Sequence, residues 1–183
     1  MGFQERYELT CPVFLIGFMG AGKTTLARRL ARECGLASVD IDRVLERRYG
    51  RDAKTLLLQE GQERFAEMEA QELEQYASGD PLIIACGGSL VAGERSREII
   101  ASKGFAVYVH VLPEESSARI SNHNSRPFFE TMDSVRRINR ELLPYYEQLA
   151  DATVDSNGKT SSTMAYEVKK RLKERGVLCP VSK

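Results

Sequence analysis

The chain has 183 residues with 26 basic and 26 acidic side chains, a formally neutral balance and a length that suits one domain with its own core. Neutrality argues against broad nucleic-acid binding, which normally shows as a basic excess, and no apolar run approaches the roughly 20 residues a membrane helix needs. Cys11, Cys34, Cys86 and Cys179 are far apart with no CxxC pair, which supports no metal framework and reads as the reduced thiols of a cytoplasmic protein.

In chain order, the opening MGFQERYELT carries glutamates where a signal peptide would be basic and then apolar, so no leader is expected. Short apolar runs then alternate with helical stretches. The candidate strands are VFLIG (13–17), ASVDID (37–42), PLIIAC (81–86), FAVYVHV (105–111) and DATVDS (151–156). Most are apolar throughout, as expected of parallel strands covered on both faces. Residues 24–34 read as a helix with Leu26, Leu30 and Cys34 on one face, and 62–78 as a second, rich in Glu, Gln and Ala. EVKKRLKERG reads as a last helix that stops near Gly176. The alternation predicts a doubly wound α/β domain with ligands at the carboxyl ends of the strands.

The stretch GFMGAGKTT, residues 17–25, matches the full P-loop pattern in Gly17, Gly22, Lys23 and Thr24. Its glycines let backbone N–H groups turn toward phosphate oxygens at the positive end of the next helix. Lys23 is placed to reach the transferred phosphoryl group and the Thr24 hydroxyl to ligate Mg²⁺. In VDID, an extended backbone would point Asp40 and Asp42 to one face, one for the metal's water shell and one for a hydroxyl nucleophile. The plainer reading makes one of them the cap of the following helix. Gly87 and Gly88 follow an apolar strand, where paired glycines allow backbone to approach a ligand or simply make a tight turn. ARISNHNSRPFFE (118–130) reads as a polar loop bearing positive charge, either a closing lid over phosphates or a solvated loop. An arginine delivered on closure would stabilise spreading phosphoryl charge. His123 is assigned no role.

In order and spacing, GFMGAGKTT, DID, EGQERFAEME, GG, SRP and VDSNGK resemble the shikimate kinases over nearly the whole chain. The resemblance implies a P-loop kinase core with a parallel five-stranded sheet, a mobile lid at about 118–131 and a substrate-binding helical region at about 43–78. It implies transfer of the γ-phosphate of ATP, with Mg²⁺, to the 3-hydroxyl of shikimate in aromatic amino-acid synthesis. Carried over by position, Lys23, Asp42 and Arg126 are the catalytic residues, and Thr24 and Asp40 hold the metal. Met19, Gly20, Ala21, Gly22, Lys23, Thr24 and Thr25 surround the nucleotide phosphates, with Arg119 and Lys159 beside adenine. Asp42, Phe65, Glu69, Gly87, Gly88 and Pro127 meet the acceptor. The partner implied is a small-molecule hydroxyl acceptor, with no nucleic acid or membrane, and the chain is expected to be a cytoplasmic monomer or weak homodimer.

The chain departs from the family pattern at the acceptor. The family writes Phe-Arg-x-x-Glu, where the arginine grips the substrate carboxylate; here Phe65 and Glu69 flank Ala66. A second gripping arginine two residues before a proline is Leu142, and Arg140 lies about 200° around a helix from that position. The third glycine of a Gly-Gly-Gly run is Ser89. Charged hydrogen bonds are worth roughly 1.5–3 kcal/mol each, so the loss of two predicts shikimate binding weaker by about 10²-fold or more. Arg64, Arg136 and Arg137 are alternative anion contacts. The readings open at this point are a shikimate kinase, a kinase for a less acidic polyol, cyclitol or sugar, and a non-catalytic ATP-binding protein. A nucleoside monophosphate kinase is disfavoured, because it would want arginines around an acceptor phosphate.

Overall fold

A computed structural model describes residues 6–120 and 131–181. At its centre lies a five-stranded parallel sheet in the order β3-β4-β2-β5-β6, formed by β2 (Val13–Ile16), β3 (Ser38–Asp40), β4 (Ile83–Ala85), β5 (Phe105–His110) and β6 (Ala152–Asp155). These are the five segments expected from the sequence, trimmed by a residue or two at their ends. Every residue of β2 and β4 is buried, and so is β5 up to His110, as strands covered on both faces require.

Helices α1 (Lys23–Cys34), α2 (Ile41–Tyr49), α3 (Ala53–Glu60), α4 (Gln62–Ala77), α5 (Glu94–Lys103), α6 (Pro113–Arg119), α7 (Met132–Leu149) and α8 (Ser161–Glu174) flank the sheet. Leu26, Leu30 and Cys34 form the buried stripe of α1, and α4 spans the expected Glu- and Gln-rich segment. Side-chain caps set several helix starts: Asp40 on α2, Asp52 on α3, Thr131 with Ser134 on α7, and Thr160 on α8. Such caps are worth about 1 kcal/mol each, because they satisfy amides that lack a partner within the helix. Helix α8 stops just before Gly176, as expected.

One feature of the fold is absent from the sequence reading. Strands β1 (Tyr7–Leu9) and β7 (Leu178–Pro180) pair antiparallel as a separate ribbon. The Tyr7 ring is buried there between the ammonium groups of Lys169 and Lys173, which lie 4.6 and 4.5 Å from its centroid, and Lys173 also donates to its hydroxyl at 2.7 Å.

Candidate active site

The P-loop runs from the end of β2 into α1, as its sequence demands. Gly20 and Gly22 have φ of 74° and 90°, a region costly for residues with a Cβ. A Cβ on Gly20 would also sit 2.8 Å from the Ser116 carbonyl oxygen. The Lys23 ammonium, largely buried, donates to the carbonyls of Gly17 at 2.6 Å and Phe18 at 2.9 Å. Met19 accepts a hydrogen bond from the Ser116 hydroxyl at 2.6 Å. The Ala21 amide donates to the Phe18 carbonyl at 3.2 Å, so the loop is folded on itself. Thr25 is exposed at the start of α1.

The Thr24 hydroxyl donates to Asp40 Oδ2 at 2.5 Å, while Asp40 Oδ1 accepts from the Arg43 amide at 3.2 Å. This corrects the extended reading of VDID. The strand ends at Asp40, and Asp42 lies in the first turn of α2. The two carboxylates therefore serve different neighbours: Asp40 both caps the helix and meets Thr24, and Asp42 turns toward Gly87. Among the described residues no group of three or more His, Cys, Asp or Glu side chains is arranged to hold a metal. A hydroxyl and one carboxylate fit Mg²⁺ all the same, since that ion keeps several waters and takes its remaining oxygens from nucleotide phosphates.

Arg119, at the end of α6, donates to the Ser156 hydroxyl at 3.1 Å, to the Ser156 carbonyl at 2.5 Å and to the Gly20 carbonyl at 3.4 Å, and also pairs with Glu115. It thereby ties the P-loop to the turn after β6. Lys159 lies on that turn and pairs with Glu167 of α8 at 2.8 Å. Arg126, Pro127 and His123, with most of the expected lid, lie outside the described residues.

Across the P-loop, α2, α4 and the end of β4 bring Asp42, Glu69 and Gly87 together. A Cβ at Gly87 would fall 2.6 Å from Asp42 Oδ1 and 2.9 Å from Glu69 Oε1, so a side chain there would push the two carboxyl groups from these positions. Glu69 is buried and its Oε1 has no hydrogen-bond partner among the described residues. Burial first, and Asp42 second, raise its pKa well above the usual carboxylate range. Phe65, one turn earlier on α4, is buried beside it. Gly88 is placed differently from Gly87. A Cβ there would meet the Met19 side chain at 2.5 Å, and the Gly88 carbonyl accepts a hydrogen bond from the buried Tyr146 hydroxyl. Gly88 thus packs the P-loop against the acceptor side.

Sequence reasoning missed Tyr146 and Cys86. The Cys86 thiol is buried with Lys23, Asp40, Asp42 and Glu69 as its charged neighbours, and burial pushes its pKa far up, so it stays an inert thiol at the junction. Also missed was the pair between buried Glu72 and Arg48 at 2.5 Å, which joins α4 to α2 one turn beyond Glu69.

At the two departures Ala66 is half-buried, whereas Leu142 is buried. Ala66 lies 3.6 Å from where a Cβ on Gly93 would be, and Leu142 belongs to the core. Arg140 is exposed, as are Arg64 and Arg137, and Arg136 pairs with Glu114 and Asp133.

A parallel sheet with a P-loop between β2 and α1, a hydroxyl–carboxylate pair beside its lysine and a second carboxyl cluster across it define a P-loop kinase. The family model described as shikimate kinase matches residues 19–173. The chain is 34% identical to the shikimate kinase of Vibrio parahaemolyticus over 167 residues, 89% of this chain and 96% of that one. It is likewise 34% identical to that of Moorella thermoacetica over 163 residues, covering 88% and 94%. Among solved structures, the shikimate kinase of Acinetobacter baumannii in complex with shikimate superposes with a TM-score of 0.85 at 27% identity, covering 91% of this chain and 95% of that one. The chain belongs to the shikimate kinase family, whose members use ATP and Mg²⁺ to phosphorylate a hydroxyl group.

Proposed function

We propose that the chain phosphorylates shikimate, with the roles expected above for its residues. The observation that carries this reading is the convergence of Asp42 and Glu69 on Gly87, across the P-loop from Lys23. Asp42 holds the attacking hydroxyl and takes its proton as the hydroxyl oxygen bonds to the γ-phosphorus and the bond to the β-phosphate oxygen breaks, releasing ADP. Lys23 faces the transferred phosphoryl group, joined by Arg126 from the segment 118–131. Thr24 and Asp40 would hold Mg²⁺, which when bound would offset the charge of the nucleotide phosphates. Met19 to Thr25 surround the phosphates, while Arg119 and Lys159 stand where the adenine would lie. Phe65, Glu69, Gly87, Gly88 and Pro127 form the acceptor side, Phe65 and Glu69 on the helical region 43–78.

The chain works in this reading as one kinase unit, cytoplasmic and a monomer or weak homodimer. Among the described residues no helix is long and apolar enough to cross a membrane. A second reading, a neutral polyol or cyclitol acceptor, is favoured by Ala66 and Leu142 at the two arginine positions, Leu142 being part of the core. A coupled ADP-release assay with MgATP and a panel of shikimate, quinate-like acids, cyclitols, sugars and nucleoside monophosphates tests both. Turnover of shikimate above the others supports the first reading. Turnover of a neutral polyol alone replaces it with the second, and no turnover of any acceptor overturns both.

A further inference from the structure

We propose a second anion-binding site, for a small phosphate-bearing ligand, in the cleft between α1 and α2 beside the edge strand β3. A cavity of about 300 Å³ opens there, lined by Thr24, Arg28, Asp40, Arg43, Glu46 and Arg47 among others. That volume is at the lower end for small-molecule sites and suits a phosphate or a compact phosphate monoester. It adjoins the nucleotide-phosphate loop at Thr24, but neither Gly17 to Lys23 nor the Arg119–Ser156 contact lines it.

The arrangement of charge is what asks for a ligand. Arg28 approaches from α1, and Arg43 and Arg47 from α2. The side chains of Arg28 and Arg43 make no hydrogen bond or ion pair with any described residue, and Arg47 donates only to the Arg43 carbonyl at 3.3 Å. Several other arginines are engaged, Arg48 by Glu72, Arg95 by Glu67 and Glu74, Arg119 by Glu115, Arg136 by Glu114, while Arg32, Arg64, Arg137 and Arg140 are exposed singly. Arg43 and Arg47 are four residues apart on one helix, a like-charge spacing that disfavours the helix. Arg43 also lies in the first turn of α2, where the helix dipole disfavours a cation. Arg47 lies in the last turn, where the dipole favours a cation, so it is Arg43 whose position the helix itself does not explain. Glu46 and Asp40 temper the charge, but Asp40 is already committed to Thr24 and the Arg43 amide. Three guanidinium groups offer the forked donors that phosphate oxygens take best. Because Thr24 and Asp40 form one wall, an anion in the cleft adjoins the pair that faces the metal.

The test is an amide-resolved NMR titration of the MgADP-saturated protein with inorganic phosphate and, separately, glycerol 3-phosphate, against sodium chloride at equal ionic strength. Saturable shifts of the amides of residues 38–40 and 43–47 are expected. Arg28→Met with Arg47→Met should weaken them by about tenfold or more while thermal unfolding does not move down. If the double variant fails to fold, Arg28→Met alone carries the same comparison. A stronger response to glycerol 3-phosphate identifies a phosphate monoester and an equal one free phosphate; either supports the site. Shifts confined to the P-loop, matched by chloride, or unchanged in the variants overturn it.

Discussion

The phosphate side and the acceptor side of the cleft share a scaffold but differ in how their polar groups are tied. On the phosphate side nearly every functional group has a partner: Lys23 on Gly17 and Phe18, Thr24 on Asp40, Ser116 on Met19, Arg119 on Ser156. On the acceptor side Glu69 and Glu72 each keep a buried oxygen with no hydrogen-bond partner among the described residues, and the two arginine positions of the family pattern hold Ala66 and Leu142. Buried unpaired polar atoms cost stability. A kinase that retains them beside the P-loop keeps its phosphate machinery organised in advance and leaves the acceptor pocket to be completed by what enters it.

The contrast can be broken most directly at Lys23. Lys23→Ala should lower turnover by about 10³-fold or more in the coupled ADP-release assay, since a positioned cation at the transferred phosphoryl group acts mainly in the transition state. Retained activity would remove the phosphate side from the account. Asp42→Asn should cost about 10²- to 10⁴-fold in kcat with the KM for ATP nearly constant, so a change confined to ATP binding would move Asp42 to the wrong side of the comparison. Ala66→Arg sharpens it from the acceptor side. Restoring one charged hydrogen bond, worth roughly 1.5–3 kcal/mol, should lower the KM for shikimate about tenfold or more; an unchanged KM would mean that the carboxylate is not held near α4.

The smallest effect is on stability. In the fold Glu69 is held above its ordinary value of 4.5 by burial and by Asp42. Its neutral form is therefore favoured by folding, and its contribution is full below about pH 4.5 and lost as pH rises through the higher folded value. Glu69→Gln removes that loss. Thermal melts should show the variant gaining on the parent protein with rising pH, the gap at about pH 8 exceeding that at about pH 5. A gap independent of pH would mean that Glu69 is not the buried acid described.

The phosphate side was the more legible of the two in the sequence because its parts are contiguous. A P-loop needs its glycines, lysine and threonine within one turn, and an all-apolar β2 leads straight into it. The acceptor side is assembled from α2, α4, α7 and the end of β4, and adjacency there depends on packing. Glu69 could equally have been an exposed helix carboxylate; the contact of α4 with α2 made it a buried one. Of the two readings of VDID the helix-capping one holds, with Asp40 as the cap; the sequence left both open because a strand ending and a helix starting at one aspartate look the same as a longer strand. The ribbon of β1 and β7 is too short for a period-two pattern to stand out, and its strands come from opposite ends of the chain.

What the sequence determined by itself was the alternation of buried strands with amphipathic helices, the phosphate loop and the order of the family motifs, all of which rest on local periodicity or on residues within a few positions of one another. Only the tertiary structure decided that Asp40 and Asp42 face different halves of the cleft, that Gly87 makes room for two carboxyl groups while Gly88 packs on Met19, and that Arg28 comes beside Arg43 and Arg47. Those are distances between residues far apart along the chain. They follow from how helices settle on the sheet, which no local pattern encodes.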